Sequence, residues 1–458
     1  MITQFRLQNF KSWRDTGAVH LAPLTALFGA NSSGKTSLLQ FLLMLKQTTE
    51  SADRSRVLHT GDDRTYVDLG TFYDLIFMHQ EQADLIYSLH WDLPSTLQVR
   101  DPEGQKDALF HIDHMAFEAT IRNVTNRLIV EQFAYLFDDH SFGMRRSPSN
   151  NGNAKDGYEL ATPNYPAKRN PGRPLQSLPV PVKSYGFPDQ VSASYQNVGF
   201  LSDFVLAFEQ LFHDIYYLGP LREYPSRQYI WAGEQPRDVG SRGELAVPAL
   251  LASQRFGKSI RRGYRKPKKT VEEMVAYWLK ELGLIHSFSL EPIAENRKDY
   301  EVRVRRSPRS AEVLITDVGF GVSQVLPVLV LCYYAPEGST LILEQPEIHL
   351  HPAVQSGLAD IFIDAIKTRG IQIILESHSE HLLRRLQRRI AEAQLTPDQA
   401  ALYFTTMAED GTSHLQQLEL DLFGNIRNWP QDFFGNDMGD LVEMAKAEMN
   451  RRDAEGAT

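Results

Sequence analysis

Eight consecutive residues, Gly29-Ala30-Asn31-Ser32-Ser33-Gly34-Lys35-Thr36, set two glycines, a lysine and a hydroxyl at the spacing of a loop that wraps a phosphate chain. Glycines let the backbone approach closely, and the loop N–H groups and a following helix N-terminus supply positive potential. Lys35 then reaches the β- and γ-phosphates, and the Thr36 hydroxyl is a ligand for Mg2+. The flanking residues fit that use: 24–28 are an apolar strand, and about 36–47 are a helix apolar nearly all round. A chance Gly/Ser turn would not require both.

Three further segments carry chemistry. Residues 341–343 are an apolar strand that runs into Glu344-Gln345-Pro346-Glu347, placing carboxylates at the C-terminal edge of a sheet, where a hard cation is held. The plainer reading of such an acid is a helix cap. A second strand, 371–375, runs into Glu376-Ser377-His378-Ser379, and its imidazole either contacts a γ-phosphate or is structural. Residues 316–324, with Gly319, Gly321 and Ser323, open another apolar helix at 325–334. That turn is a simple cap, or a phosphate cradle serving a nucleotide held by a second copy.

In this order the phosphate loop, the Gly/Ser turn, LILEQPEIHLHP and ESHSEHLL resemble the standalone ABC-type ATPases of the SMC and OLD-nuclease class, including ATPases of prokaryotic defence systems. The match covers residues 1 to about 50 and about 310 to 385, with YLGPLREYPSR at 217–227. Trp429, Pro430, Phe433 and Phe434 resemble a small C-terminal module of one branch. The resemblance implies ATP and Mg2+ as cofactors and a homodimer, or higher homo-oligomer, closed through ATP. Gly29, Ala30, Asn31, Ser32, Ser33, Gly34, Lys35, Thr36 and Ser37 of one head would then meet Gly319, Gly321 and Ser323 of the other. It further implies that Thr36 and Glu344 take the metal and that His378 senses the γ-phosphate. One departure stands out: Gln345 occupies the place of the usual water-polarising glutamate, and an amide is not a general base. Slow hydrolysis is the expectation, with Glu344, Gln345 and His378 as the catalytic set. Glu347 is a rival carboxylate, Arg222 is either a phosphate-binding or an ion-paired arginine, and Asp68 stands in for a missing metal-coupling glutamine.

These motifs call for an α/β fold: an ABC-type P-loop NTPase head, with a mixed core sheet flanked by helices, an antiparallel β subdomain and a helical arm insertion. Alternation at Leu85, Tyr87, Leu89 and Trp91, at Phe117, Ala119 and Ile121, and at Leu128, Val130, Gln132 and Ala134 predicts half-wet antiparallel strands. The expected divisions are an N-terminal ATPase lobe (1–140), a mobile Pro/Asn/Ser/Gly-rich loop (141–200), an insertion with the arm (201–310), a C-terminal ATPase lobe (311–400) and a C-terminal module (401–458) ending in a polar helix near 441–451. Thr270 and Glu273 form a capping box for the arm helix, and Gly283 stops it.

The chain has 458 residues, is 42% hydrophobic and carries a formal charge of -9, which argues against a whole-surface nucleic-acid binder. A local exception is 258–269, with seven positive charges; Arg261, Arg262, Arg265, Lys266, Lys268 and Lys269 are either a phosphate-backbone contact, leaving DNA open as a partner, or a solvated loop. No run of eighteen apolar residues occurs, and MITQFRLQNFKSW lacks the order of a secretory signal, so the expectation is a cytoplasmic protein with no membrane partner. The single cysteine, Cys332, lies in an apolar run and reads as a buried thiol. With no D-x-D pair and no HNH or Cys/His cluster, an effector, nuclease or toxin, is expected to be a separate protein. The resulting reading is a nucleotide-gated regulator of that effector in defence against phage or foreign DNA. The competing readings are a DNA-binding repair or chromosome-handling ATPase and, last, a transporter ATPase.

Overall fold

The computed structural model describes residues 1–430 apart from 103, 105–106, 148–156, 172–176, 258, 263–266 and 296, together with 444, 446 and 447. Its centre is a six-stranded sheet in the order Ile215–Leu218, Thr340–Glu344, Gln372–Glu376, Leu24–Gly29, Ala400–Met407, Ser413–Gln417. The first five strands are parallel and the last is antiparallel. Strands covered on both faces must be apolar throughout, and Thr340–Glu344 and Gln372–Glu376 are buried at every position. Alternate residues divide between two cores: Leu341, Leu343, Ile373, Leu375, Ala26 and Phe28 face one, while Ile342, Ile374, Leu27, Ala401 and Tyr403 face the other.

The second of these cores is closed by the helix Lys35–Glu50 and an eight-stranded antiparallel sheet that begins with Ile2–Phe10 and runs through Leu85–Val99, Phe110–Val124 and Arg127–Phe137. The expected alternation holds in the first two of the long strands. In Arg127–Phe137 it slips: a register shift opposite Thr120 and Ile121 brings Phe133, Tyr135 and Phe137 inward and leaves Gln132 exposed. A bulge adds one residue, and with a side-chain period of two that reverses the face.

Three expected divisions change. The stretch read as a mobile loop contributes the strand Gly157–Ala161, paired with His140–Ser147, and buries Tyr158, Leu178 and Tyr185. Its proline-rich composition hid a few large anchors. The helix at the capping box of Thr270 and Glu273 is present as Val271–Glu281, but it is not a projecting arm. Val271, Met274, Val275, Trp278 and Leu279 are buried against Ala246–Arg255 and Phe320–Tyr334. Residues 215–218 and 400–417 are strands of the central sheet rather than parts of an insertion and of a separate module. Most of the expected final helix near 441–451, with Phe433 and Phe434, lies outside the described residues. Cys332 is fully buried. Among the described residues no helix is long and apolar enough to cross a membrane.

Candidate nucleotide site

The phosphate loop leaves the central sheet at Gly29 and enters the helix Lys35–Glu50 through Gly34. Gly34 has φ of 94°, and a Cβ there would come within 2.9 Å of Ser12 Oγ and 3.0 Å of Trp13 Nε1, so both conformation and space demand glycine. Trp13 is fully buried, and its indole N–H lies 3.1 Å from the Gly34 carbonyl and 3.0 Å from Ser37 Oγ. From the other side, Thr405 Oγ1 donates to the Phe28 carbonyl (3.1 Å) and shares a hydrogen bond with Ser33 Oγ. Sequence reading did not find Trp13 or Thr405, because each reaches the loop only through strand pairing.

The loop borders a cleft of about 600 Å3, within the usual range for a small-molecule site. Asn31, Ser32, Ser33, Gly34, Lys35, Thr36 and Ser37 line it, together with Gln345, Glu376 and His378. Lys11, Phe77, His79 and Asp410 add a rim that the motifs did not indicate. Lys35 Nζ donates to the Gly29 and Ala30 carbonyls at 3.0 and 2.7 Å, and burial lowers its pKa. His378 is half-buried; burial first, and then the Lys35 charge, lower its pKa, favouring neutral imidazole. Its backbone N–H donates to Glu347 Oε1 at 2.6 Å, and burial raises the pKa of Glu347.

The carboxylates are arranged differently from the expectation. Glu344, 6% exposed, accepts from the Tyr217 hydroxyl at 3.0 Å and is not part of the cleft lining. Its pKa is pushed up to about 7, by burial and then by the charge of Glu376 beside it. Arg222 is 7% exposed and lies behind this pair, its Nη2 donating to the Glu344 carbonyl at 3.4 Å; burial lowers its pKa to about 10. Facing the cleft instead is Glu376, whose Oε2 accepts from Thr36 Oγ1 at 2.7 Å. Gln345 Nε2 donates to its Oε1 at 3.5 Å, and Gln345, with φ of 43°, also bonds through its N–H to the Glu376 carbonyl. Asp68 does not line the cleft; its carboxylate accepts from the Gly70 N–H.

The donor set suits a nucleoside triphosphate and Mg2+: an ammonium, free helix N-terminal amides and hydroxyls for phosphate, and a hydroxyl with a carboxylate for a hard cation. Mg2+ held there would supply positive charge to polarise the phosphates. Gly319, Gly321 and Ser323 lie elsewhere. Gly319 caps the helix Phe320–Tyr334, is exposed, and has open space where a Cβ would project. Gly321 is half-buried and Ser323 is buried.

Of the basic candidates, Arg262 is committed to the fold: it pairs with Asp364 at 2.8 Å and stacks on Tyr277 at 4.4 Å. Lys269 also lies over Tyr277 at 4.4 Å, while Arg261 and Lys268 are exposed on a two-stranded ribbon. Arg265 and Lys266 are outside the described residues.

Fold and cleft together define a P-loop nucleoside-triphosphate head. Two family models divide it between them: "AAA ATPase domain" matches residues 1–146, and "AAA domain, putative AbiEii toxin, Type IV TA system" matches 199–384. Residues 1–146 and 199–384 are thus similar to AAA-type ATPase domains, families that use nucleotide with Mg2+. A third model, a protein family of unknown function (DUF3696), matches 395–444. No curated protein matches the sequence at a significant level. Among solved structures, the SMC head domain from Thermotoga maritima aligns at 11% identity and a TM-score of 0.41, covering 91% of this chain and 99% of that one. An SMC head with an extended coiled coil, bound to the C-terminal domain of ScpA and derived from Pyrococcus furiosus, aligns at 11% identity and 0.42, covering 92% and 96%.

Proposed function

We propose that the chain is an ABC-type, nucleotide-gated switch: two copies close head to tail on two ATP molecules, and the closed state controls a separate effector, a nuclease or toxin, in defence against phage or foreign DNA. The observation that carries this reading is the position of Gly319. It sits exposed at the N-terminus of the helix Phe320–Tyr334, yet the lining of the chain's own cleft draws on other residues. A phosphate-binding turn that does not serve its own cleft fits one donated to a partner's nucleotide, with each head supplying both halves across a twofold axis. The defence role is supported by the toxin–antitoxin description of the model matching 199–384. Hydrolysis is slow in this reading, because Gln345 orients water without accepting its proton.

Complementation tests the pairing. A Cβ at Gly319 meets nothing within 4 Å in its own chain, so Gly319→Arg is chosen to obstruct a partner's nucleotide. Lys35→Ala disables the phosphate loop. Each variant alone should lack ATP-driven dimerisation in analytical ultracentrifugation and ATP hydrolysis. In an equal mixture only mixed dimers can close, each with one intact site, so turnover should recover to as much as about half of wild type. A mixture as inactive as its parts overturns the trans site. Co-purification from the native operon tests the effector: isolation of the chain with no nuclease-like or toxin-like partner removes that half of the reading.

The DNA-handling alternative keeps Arg261 and Lys268 as exposed charges. Neutralising both should leave DNA affinity and its salt dependence unchanged if the regulator reading holds.

A further inference from the structure

The central sheet sets two acidic strand ends side by side: Glu344 and Glu376 are direct register partners on neighbouring parallel strands. The strand of Glu376 is the one paired to the phosphate-loop strand, and that of Glu344 lies one strand further away, about 4.8 Å more. The side chains amplify this offset. Glu344 turns to Tyr217, on the far side from the cleft. Glu376, 3% exposed, spends both carboxylate oxygens on cleft residues: Oε2 on Thr36 at 2.7 Å, and Oε1 near Gln345 Nε2 at 3.5 Å and His378 Nε2 at 3.9 Å.

Resting on the ATP-site reading, we propose that Glu376, not Glu344, is the carboxylate that acts with Thr36 on the nucleotide's divalent metal, and that Gln345 is the matching substitution that makes room for it. Adjacent ligands of an octahedral ion bound at about 2.1 Å are about 3 Å apart. The Thr36 hydroxyl and Glu376 Oε2 already stand close to that spacing. An acid at 376 also changes what position 345 can hold. With Gln345 the amide donates to Glu376, whereas a glutamate there would make a third carboxylate beside Glu376 and Glu344. The acid at the end of one strand and the amide after the other are therefore one electrostatic arrangement, and Glu344 becomes the acid behind it, held by Tyr217.

Mn2+ and ATP are the probes. Free Mn2+ is read by electron paramagnetic resonance while the full-length chain is titrated at saturating ATP, and ATP affinity is measured separately in EDTA. Glu376→Gln should weaken Mn2+ binding at least tenfold, as loss of a ligand-side carboxylate does, and leave ATP affinity in EDTA within threefold. Glu344→Gln should change Mn2+ affinity less than threefold. The reverse order, or two variants that both stay within threefold, overturns the assignment. If Glu376→Gln fails to bind ATP in EDTA, Glu376→Asp decides: Mn2+ affinity weakened at least threefold supports the proposal, and unchanged affinity overturns it. A wild-type chain that binds no ATP refutes the nucleotide-site reading along with this one. A wild type that binds Mn2+ and ATP but is indifferent to residue 376 refutes this one alone.

Discussion

Glu344→Gln should make the metal-free protein more stable above neutral pH and leave it nearly unchanged in mild acid. The carboxyl of Glu344 is buried beside Glu376, and its pKa rises to about 7 from an ordinary 4.5. The folded chain thus holds a proton that the unfolded chain has released between pH 4.5 and 7, so stability falls as pH rises through that window. Below pH 4.5 both states are protonated and nothing is lost; above pH 7 the loss is complete. A shift of about 2.5 units at 1.36 kcal/mol each amounts to about 3 kcal/mol. An amide has no proton to lose, and the Tyr217 hydroxyl can still donate to it. With an unfolding entropy of about 2.1 cal/mol/K per residue, about 1 kcal/mol/K for the whole chain, the gain is about 3 °C in Tm if the head unfolds as one unit. The assay is differential scanning calorimetry of both chains in EDTA at pH 5 and pH 8. The other titrating groups are shared, so the informative quantity is the difference between chains. A difference in Tm that is the same at both pH values, or larger at pH 5, refutes the argument.

Lys35→Ala removes the ammonium that rests on the Gly29 and Ala30 carbonyls. At about 1.5–3 kcal/mol for each charge-assisted contact to phosphate, fluorescence anisotropy with a labelled ATP analogue should show at least a hundredfold loss of affinity. Gln345→Glu places a carboxylate about 3.5 Å from Glu376, a repulsion of about 5 kcal/mol at an effective dielectric near 20. Its Tm in EDTA should fall and recover with Mg2+ and ATP, and phosphate release should rise at least tenfold because position 345 gains a general base. Unchanged or slower release counts against slow turnover as the consequence of Gln345. Tyr333→Phe takes the acceptor from buried Trp278 Nε1 and a donor, at 2.7 Å, from partly buried Asp364. Urea unfolding should show a loss of about 2–4 kcal/mol with nucleotide affinity unchanged.

The phosphate loop and the two strands that answer it were legible because their chemistry lies within short windows. Gly29, Gly34, Lys35 and Thr36 must be contiguous to cradle phosphate, and a fully buried parallel strand announces itself as a continuous apolar run. The acid that bonds Thr36 was not legible. Glu344 and Glu376 both end such runs, and only the sheet order places Glu376 next to the phosphate loop. Trp13, Thr405 and Asp410 were missed for the same reason: strand pairing outside the motifs brings Trp13 and Thr405 to the phosphate loop and the turn of Asp410 to the cleft. The capping box at Thr270 fixed where its helix begins but not what it packs on, because local hydrogen bonds carry no information about tertiary partners. Residues 141–200 show the opposite error: low apolar density reads as a mobile loop, although Tyr158, Leu178 and Tyr185 are buried.

The same long-range contacts explain how such a site can report its state to the rest of the molecule. The phosphate loop is gripped by the N-terminal sheet through Trp13 on Gly34 and Ser37, and by the late strands through Thr405 on Phe28 and Ser33. Those two grips are themselves joined, because Ser413 bonds to Ser12 through both side chain and backbone, at 2.7 and 2.8 Å. The third attachment is Glu376 on Thr36, which leads through Gln345 to the strand of Glu344 and so to Tyr217 and Arg222. Phosphate and metal compete for the hydroxyl and ammonium that now serve as the loop's internal partners. Binding therefore exchanges the Thr36–Glu376 bond and the Lys35 bonds to Gly29 and Ala30 in a loop that Trp13 and Thr405 hold from both sides. Close-packed interiors respond to such an exchange by moving between discrete arrangements rather than by yielding gradually, and that is the property a nucleotide-gated switch requires.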